Sequence, residues 1–224
     1  MHIEILAEDS SSTRLLEFLV PRIIGPYGNP HTWRLHGYRG IGRLPKSLAG
    51  SPAGLRHRLL LDSLPKLLRG YGRTPGIDAI VVVIDADRTD CTVLLQQLTQ
   101  LADSVENKPT TLFRIAIEET EAWYFGDKQA IVKAYPRAKP AILDRYQQDA
   151  ICETWEMLAD AIHSGGASAV KRQGWPLPGN LKHQWAKEIG PHMDPEINQS
   201  PSFKKLRDGL RRLVSIPSNA QKRF

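Results

Sequence analysis

Apolar residues follow two rhythms along this chain. Residues 3–8, IEILAE, alternate and then turn polar, which predicts a first strand ending near Glu8. The next stretch, DSSSTRLLEFLVPRII, opens on serines and sets Leu15, Leu16, Leu19 and Ile23 at helical spacing. A strand running straight into a helix is how an α/β domain begins. HTWRLHGYRGIG (31–42) predicts a second strand entering a glycine-punctuated loop. GLRHRLLLDSLPKLLRGYG (54–72) predicts a helix that Pro65 should kink or split. IDAIVVVID (77–85) is the clearest strand, and its unbroken apolar run implies burial on both faces at a central position. Asp90 suits the N-cap of a helix over CTVLLQQLTQLADSVEN, and TLFRIAIEE (111–119) is a further strand that ends in acids.

Beyond residue 119 strands are hard to find. TEAWYFGDKQAIVKAYP, KPAILDRY, CETWEMLADAIHSGG, NLKHQWAKEIG and SFKKLRDGLRRL all read as short helices separated by Pro and Gly. Helices this short gain their stability by docking. The expectation is an α/β core over residues 1–127 with a helical C-terminal portion, 128–224, packed on it.

Charge changes this picture more than overall composition does. The net charge is +6, but residues 21–73 hold 10 Lys/Arg against one acid, Asp62, while residues 74–160 hold 15 acids against 8 bases. From 161 onward the balance is basic again, 11 against 4. Basic flanks around an acidic middle suit a polyanion gripped beside a cation site; solvated helix faces are the plainer explanation for any single stretch. No segment approaches the ~18 apolar residues of a membrane span. The opening MHIEILAEDSSS has an acid where a signal peptide has bases, so a soluble, cytoplasmic protein with no membrane partner is expected.

Several chemistries lack their signatures. Cys91 and Cys152 have no spacing for a disulfide framework or zinc site, and the seven histidines show no HxxxH pattern. Neither a P-loop nor a G-x-G-x-x-G follows a strand, and no G-x-S-x-G elbow occurs; Ser10–Ser12 read as helix capping. Trp33, Trp123, Trp155, Trp175 and Trp185 could stack on bases, but their scatter favours core anchors.

The acids are more informative. Glu8, then Asp85 and Asp87, then Glu118, Glu119 and Glu121 all follow predicted strands. In an open α/β sheet the functional crevice lies outside the carboxyl ends of the strands. Residues i and i+2 of an extended segment point the same way, so Asp85 and Asp87 should converge, as should Glu119 and Glu121 if the chain stays extended. Carboxylates gathered in one crevice repel unless cations neutralise them, and Mg²⁺ or Mn²⁺ takes oxygen ligands. Single acids after strands are also ordinary caps and turn residues, and the EETEAW acids could favour a helix dipole.

The strand ending in Glu8 within LAEDSSS, and VVVIDAD with Asp85 and Asp87, resemble the two motifs of the Toprim domain of topoisomerases, primases and nucleases of the overcoming-lysogenization-defect type. IAIEETEAWYFGD, carrying Glu119, Glu121 and Asp127, and SPSFKKLRDGLRRL look like a Toprim-like bacterial family of unknown function, DUF4276-like, often encoded beside an ATPase. The chain departs from Toprim in having Asp9 where Gly is usual and Ser12 where many nucleases carry a second acid; a ligand there would come from Asp9 or from water.

The resemblance implies a Toprim-like (Rossmann-like) sheet flanked by helices and a metal-dependent nuclease. Asp85 and Asp87 would hold Mg²⁺ or Mn²⁺, Glu119 or Glu121 a second ion about 4 Å away, and Glu8 would be a ligand or general acid/base. Arg34, Arg39, Arg43, Arg56 and Arg58, with Lys204, Lys205 and Arg207, would grip a nucleic-acid backbone, DNA ahead of RNA. An antiphage role with an ATPase partner follows by analogy. The competing readings are a non-catalytic nucleic-acid or ATPase-binding module with a degenerate metal site, and phosphate transfer on a small nucleotide.

Overall fold

Four parallel strands form the sheet: β1 (His2–Ala7), β2 (Thr32–Gly37), β3 (Ala79–Asp85) and β4 (Thr110–Ala116), in the order β2-β1-β3-β4. The computed structural model describes residues 1–40, 42, 59–150 and 152–215. The first crossover is α1 (Ser10–Ile24), the second contains α2 (Leu60–Gly72) and the third is α3 (Cys91–Asp103). The chain steps from β1 outward to β2 and then crosses to the other side of β1 to lay down β3. Strand order therefore reverses between β1 and β3, and the crevice outside their carboxyl ends is the natural binding place of this doubly wound, Rossmann-like arrangement.

Both central strands are buried on both faces. Ile3, Ile5, Ala79, Val81 and Val83 pack beneath α1 and the C-terminal helices, while Leu6, Ile80, Val82 and Ile84 pack against α2 and α3. Every residue of β3 is buried, which is why its sequence shows no alternation. Pro65 does not split its helix: α2 runs unbroken from Leu60 to Gly72 with Pro65 among its buried residues. Asp90 caps α3 as expected, accepting from the Thr92 and Val93 amides at 2.7 and 3.2 Å.

After β4 the chain is helical: α4 (Ala122–Phe125), α5 (Lys128–Ala134), α6 (Pro140–Leu143), α7 (Thr154–Ile162), α8 (Gly166–Gln173), α9 (Leu177–Ile189) and α10 (Pro201–Ser215). The helix expected over 120–136 is two helices parted at Gly126–Asp127, and α8 was not anticipated. Trp123, Phe125, Trp185 and Phe203 join the cluster built on β1, β3 and α1, so the core is continuous across the 127/128 boundary. Among the described residues no helix is long and apolar enough to cross a membrane.

Candidate functional site

The carboxyl ends of β1 and β3 bring two acids into contact. Glu8 follows β1, its amide bonded to the Val83 carbonyl, and its side chain accepts the Asp85 amide at 3.1 Å. Asp85 closes β3 and is 7% exposed, with Oδ1 lacking a hydrogen-bond partner. Asp9 caps α1 by accepting from the Ser12 amide at 2.7 Å and the Ser11 hydroxyl at 2.8 Å. Ser12, the position without the second acid, instead pairs its hydroxyl with that of Thr120 at 3.3 Å, both side chains buried.

Glu119 and Glu121 meet, but not by strand alternation. β4 stops at Ala116, and the following residues form turns in which the Ala122 amide reaches the Glu119 carbonyl and the Trp123 amide the Thr120 carbonyl. The two carboxylates converge on a residue the acid motifs do not contain, Lys182 of α9. Its Nζ donates to Glu119 at 2.6 Å and lies 3.5 Å from Glu121 Oε2. Glu121 is 1% exposed, and neither of its oxygens has a hydrogen bond. Lys182 was legible only as one base in the helical segment NLKHQWAKEIG; nothing local marks it as the counter-ion of acids some 60 residues earlier.

Burial dominates the electrostatics. It lifts Asp85 well above the usual carboxylate range, reinforced by Glu8, Glu121 and Asp9 and opposed by Lys182. Burial likewise pushes Glu121 up to about 7, against the pull of Lys182 and with the help of Glu119 and Asp9. Glu119 rises for the same leading reason, while Lys182 holds it down. Burial works against the Lys182 ammonium, yet Glu121 and Glu119 outweigh it and raise its pKa. Lys182 is thus a charged, resident counter-ion, bonded to Glu119 and leaving Glu121 to hold a proton close to neutrality.

The remaining acids separate. Asp87 lies in a turn rather than an extended segment, at a φ of +47°, so strand alternation does not align it with Asp85, and it is exposed. Burial raises its pKa, Lys182 opposing and Glu118 reinforcing. Glu118 accepts the backbone amides of Glu153 and Thr154, the latter at 2.8 Å, and so caps α7. Asp127 accepts from the Ala130 amide at 3.2 Å and the Asp194 amide at 2.8 Å, tying α5 to the segment before α10.

A groove of about 700 Å³ opens beside the acids, lined by Glu8, Asp9, Tyr38, Arg39, Trp175 and His183 among others. Trp123 and Trp185 are core anchors as expected, but Trp175 is 81% exposed and stands at this groove. Its indole lies so close to Gly179 that a Cβ there would meet the ring at 2.7 Å. Arg39 shares the groove, whereas exposed Arg34 sits mid-strand on β2, in register with Glu4. Arg207 is engaged internally, with Asp208 at 2.8 Å and the Pro195 carbonyl at 2.9 Å. Lys204 and Lys205 face a separate cavity between β4 and α10. Arg43, Arg56 and Arg58 lie outside the described residues.

Among the described residues no group of three or more His, Cys, Asp or Glu side chains is set to hold a metal ion. The donor chemistry nevertheless fits one. Asp85 Oδ1 and both Glu121 oxygens are buried without hydrogen bonds, with the Lys182 ammonium 3.5 Å from Glu121 Oε2, and buried oxygens lacking hydrogen bonds are costly. Mg²⁺ is commonly held by one or two carboxylates, with waters and substrate phosphate completing its shell.

A family model described as a domain of unknown function (DUF4276) matches residues 7–211. No curated protein and no solved structure matches the chain.

Proposed function

The chain belongs to the family described as a domain of unknown function, DUF4276, and from that premise we propose that it is a divalent-metal-dependent nuclease acting at the β1–β3 crevice. The observation that carries the proposal is the pair of buried carboxylates, Asp85 and Glu121, whose Asp85 Oδ1 and Glu121 oxygens lack hydrogen bonds, beside Glu8 where the strand order reverses. The Toprim likeness is part of the same proposal and rests on Glu8, Asp85 and Asp87.

In this reading Asp85 and Glu121 would hold Mg²⁺ or Mn²⁺, and Glu8 and Asp87 would be the further acids available to it. A bound ion would polarise a phosphoryl oxygen and lower the pKa of a coordinated water. The protein's own groups position the substrate. Lys182 fixes Glu119 and Glu121, keeping their mutual repulsion in check. Glu8, on the groove side, is the group placed to take or return a proton. Arg39 would hold a backbone phosphate in the same groove. Trp175 offers a flat apolar face to a base, which favours a single-stranded or locally opened substrate. DNA is the first substrate to test, RNA the second. The ATPase partner and antiphage setting follow from the resemblance alone and belong to this proposal.

Two observations favour a second reading, a binding module without turnover. Lys182 already supplies a cation to Glu119 and Glu121, and Ser12–Thr120 replaces an acid with a neutral contact. Nicking of supercoiled plasmid and cutting of single strands with Mn²⁺ separate the two. Wild-type protein should cut and Asp85→Ala should not, while backbone binding persists in both. Absence of cutting by wild type with every metal, alone and with the neighbouring ATPase, would give the binding module precedence.

A further inference from the structure

A second polar site lies on the far side of β4 from the carboxylates. A half-open cavity of about 420 Å³ is lined by α3, β4 and α10. Its cationic lining is Arg114, Lys204, Lys205 and Arg212. Its acids, Asp149 and Asp208, are engaged elsewhere: Asp149 accepts from the Ser200 hydroxyl at 2.9 Å and the Ser202 amide at 2.6 Å, and Asp208 accepts from Arg207 at 2.8 Å. Among the described residues neither Arg114 nor Arg212 has an ion-pair partner.

Arg114 is the informative residue. It sits on the edge strand with Nε buried and unbonded, and its Nη1 donates to the adjacent Phe113 carbonyl at 2.6 Å. The guanidinium presses on α10 at Gly209, where a Cβ would stand 2.1 Å from Nη2, so glycine there makes room for it. Burial and the nearby Arg212 both lower its pKa, so two cations stand close together here, with Asp208 acting on Arg212 from the same helix. A half-buried guanidinium whose Nε has no acceptor is completed by an anion that reaches it. Arginine forks match phosphate oxygens in particular.

The rest of the lining narrows the ligand. Leu95, Phe113, Ile115, Ile117 and Pro201 give the cavity an apolar wall opposite the cations. A half-open cavity of this volume, with an apolar wall and a few convergent cations, has the size and lining of a small-molecule site. We propose that the β4–α10 cavity binds a phosphate-bearing small molecule with a flat apolar body, of the nucleoside monophosphate class. Its phosphate pairs with Arg114 and Arg212, and its body lies on Phe113 and Leu95. The site uses none of the carboxylates at the crevice, so it stands whether or not the crevice cuts nucleic acid.

Titration calorimetry with AMP, inorganic phosphate and an unphosphorylated six-nucleotide single strand tests this. AMP should bind once per chain, and inorganic phosphate should compete more weakly. Arg212→Ala, at an exposed position, and Arg114→Met should each weaken AMP by about tenfold or more. Lys66→Ala, an exposed charge loss on α2, should leave it unchanged. Circular dichroism establishes that each variant is folded, and the Arg212 variant carries the test should Arg114→Met unfold. AMP affinity unaltered in both arginine variants, no AMP binding by wild type at millimolar concentration, or loss of oligonucleotide binding alone would each overturn the proposal.

Discussion

Glu121→Gln is the substitution whose consequence the structure defines most closely. The carboxyl is raised from an ordinary 4.5 to about 7, chiefly by burial. At about 1.4 kcal/mol per unit, that displacement is on the order of 3 kcal/mol. Between those two values the folded chain keeps a proton that the unfolded chain has released, so stability falls as pH rises. The contribution is fully present below about 4.5 and gone above about 7. Asp85, Glu119 and Asp87 shift in the same direction and deepen the fall in wild type. A neutral amide of the same shape cannot titrate. In urea unfolding with EDTA, the stability of Glu121→Gln relative to wild type should therefore rise by about 3 kcal/mol between pH 4.5 and pH 8. A difference that stays constant across that range would refute the buried, proton-holding Glu121.

Three further outcomes are expected. Lys182→Met removes the counter-ion from a buried pair and should lower stability by about 3–5 kcal/mol at pH 7.5, with part of the loss recovered at pH 5 where the acids take up protons; thermal melts at the two pH values check it. Trp175→Ala should change stability by less than about 0.5 kcal/mol yet weaken a single-stranded oligonucleotide by about 1–3 kcal/mol in fluorescence anisotropy, and equal binding would return Trp175 to mere surface. Glu118→Ala removes the acceptor of two amides at the start of α7 and should cost about 1–2 kcal/mol in urea unfolding without altering metal binding.

The crevice was readable because its parts are local. Alternation in IEILAE, the apolar run of β3 and the acids after each are short-range patterns, and the strand-end rule joins them into one place. What escaped depends on distance along the chain or on single dihedral angles. The extended spacing that would align Asp87 with Asp85 ends because Asp87 turns to positive φ, a change no residue spacing signals. Glu118, indistinguishable in sequence from its neighbour Glu119, caps a helix that begins 36 residues later. Lys182 reaches the acids only because α9 packs under α1 and the sheet. Trp175 is exposed in the turn before α9 and Trp185 is buried on α9, a difference that tertiary packing sets.

Paramagnetic titration of Mn²⁺, reading free ion by electron spin resonance, addresses the central claim, that the carboxylates at the β1–β3 crevice take a divalent cation. The account predicts saturable binding by wild type that is lost in the double variant Asp85→Asn, Glu121→Gln and strengthened by a phosphate-containing substrate. Identical Mn²⁺ uptake by wild type and the double variant, or none by either, would contradict it.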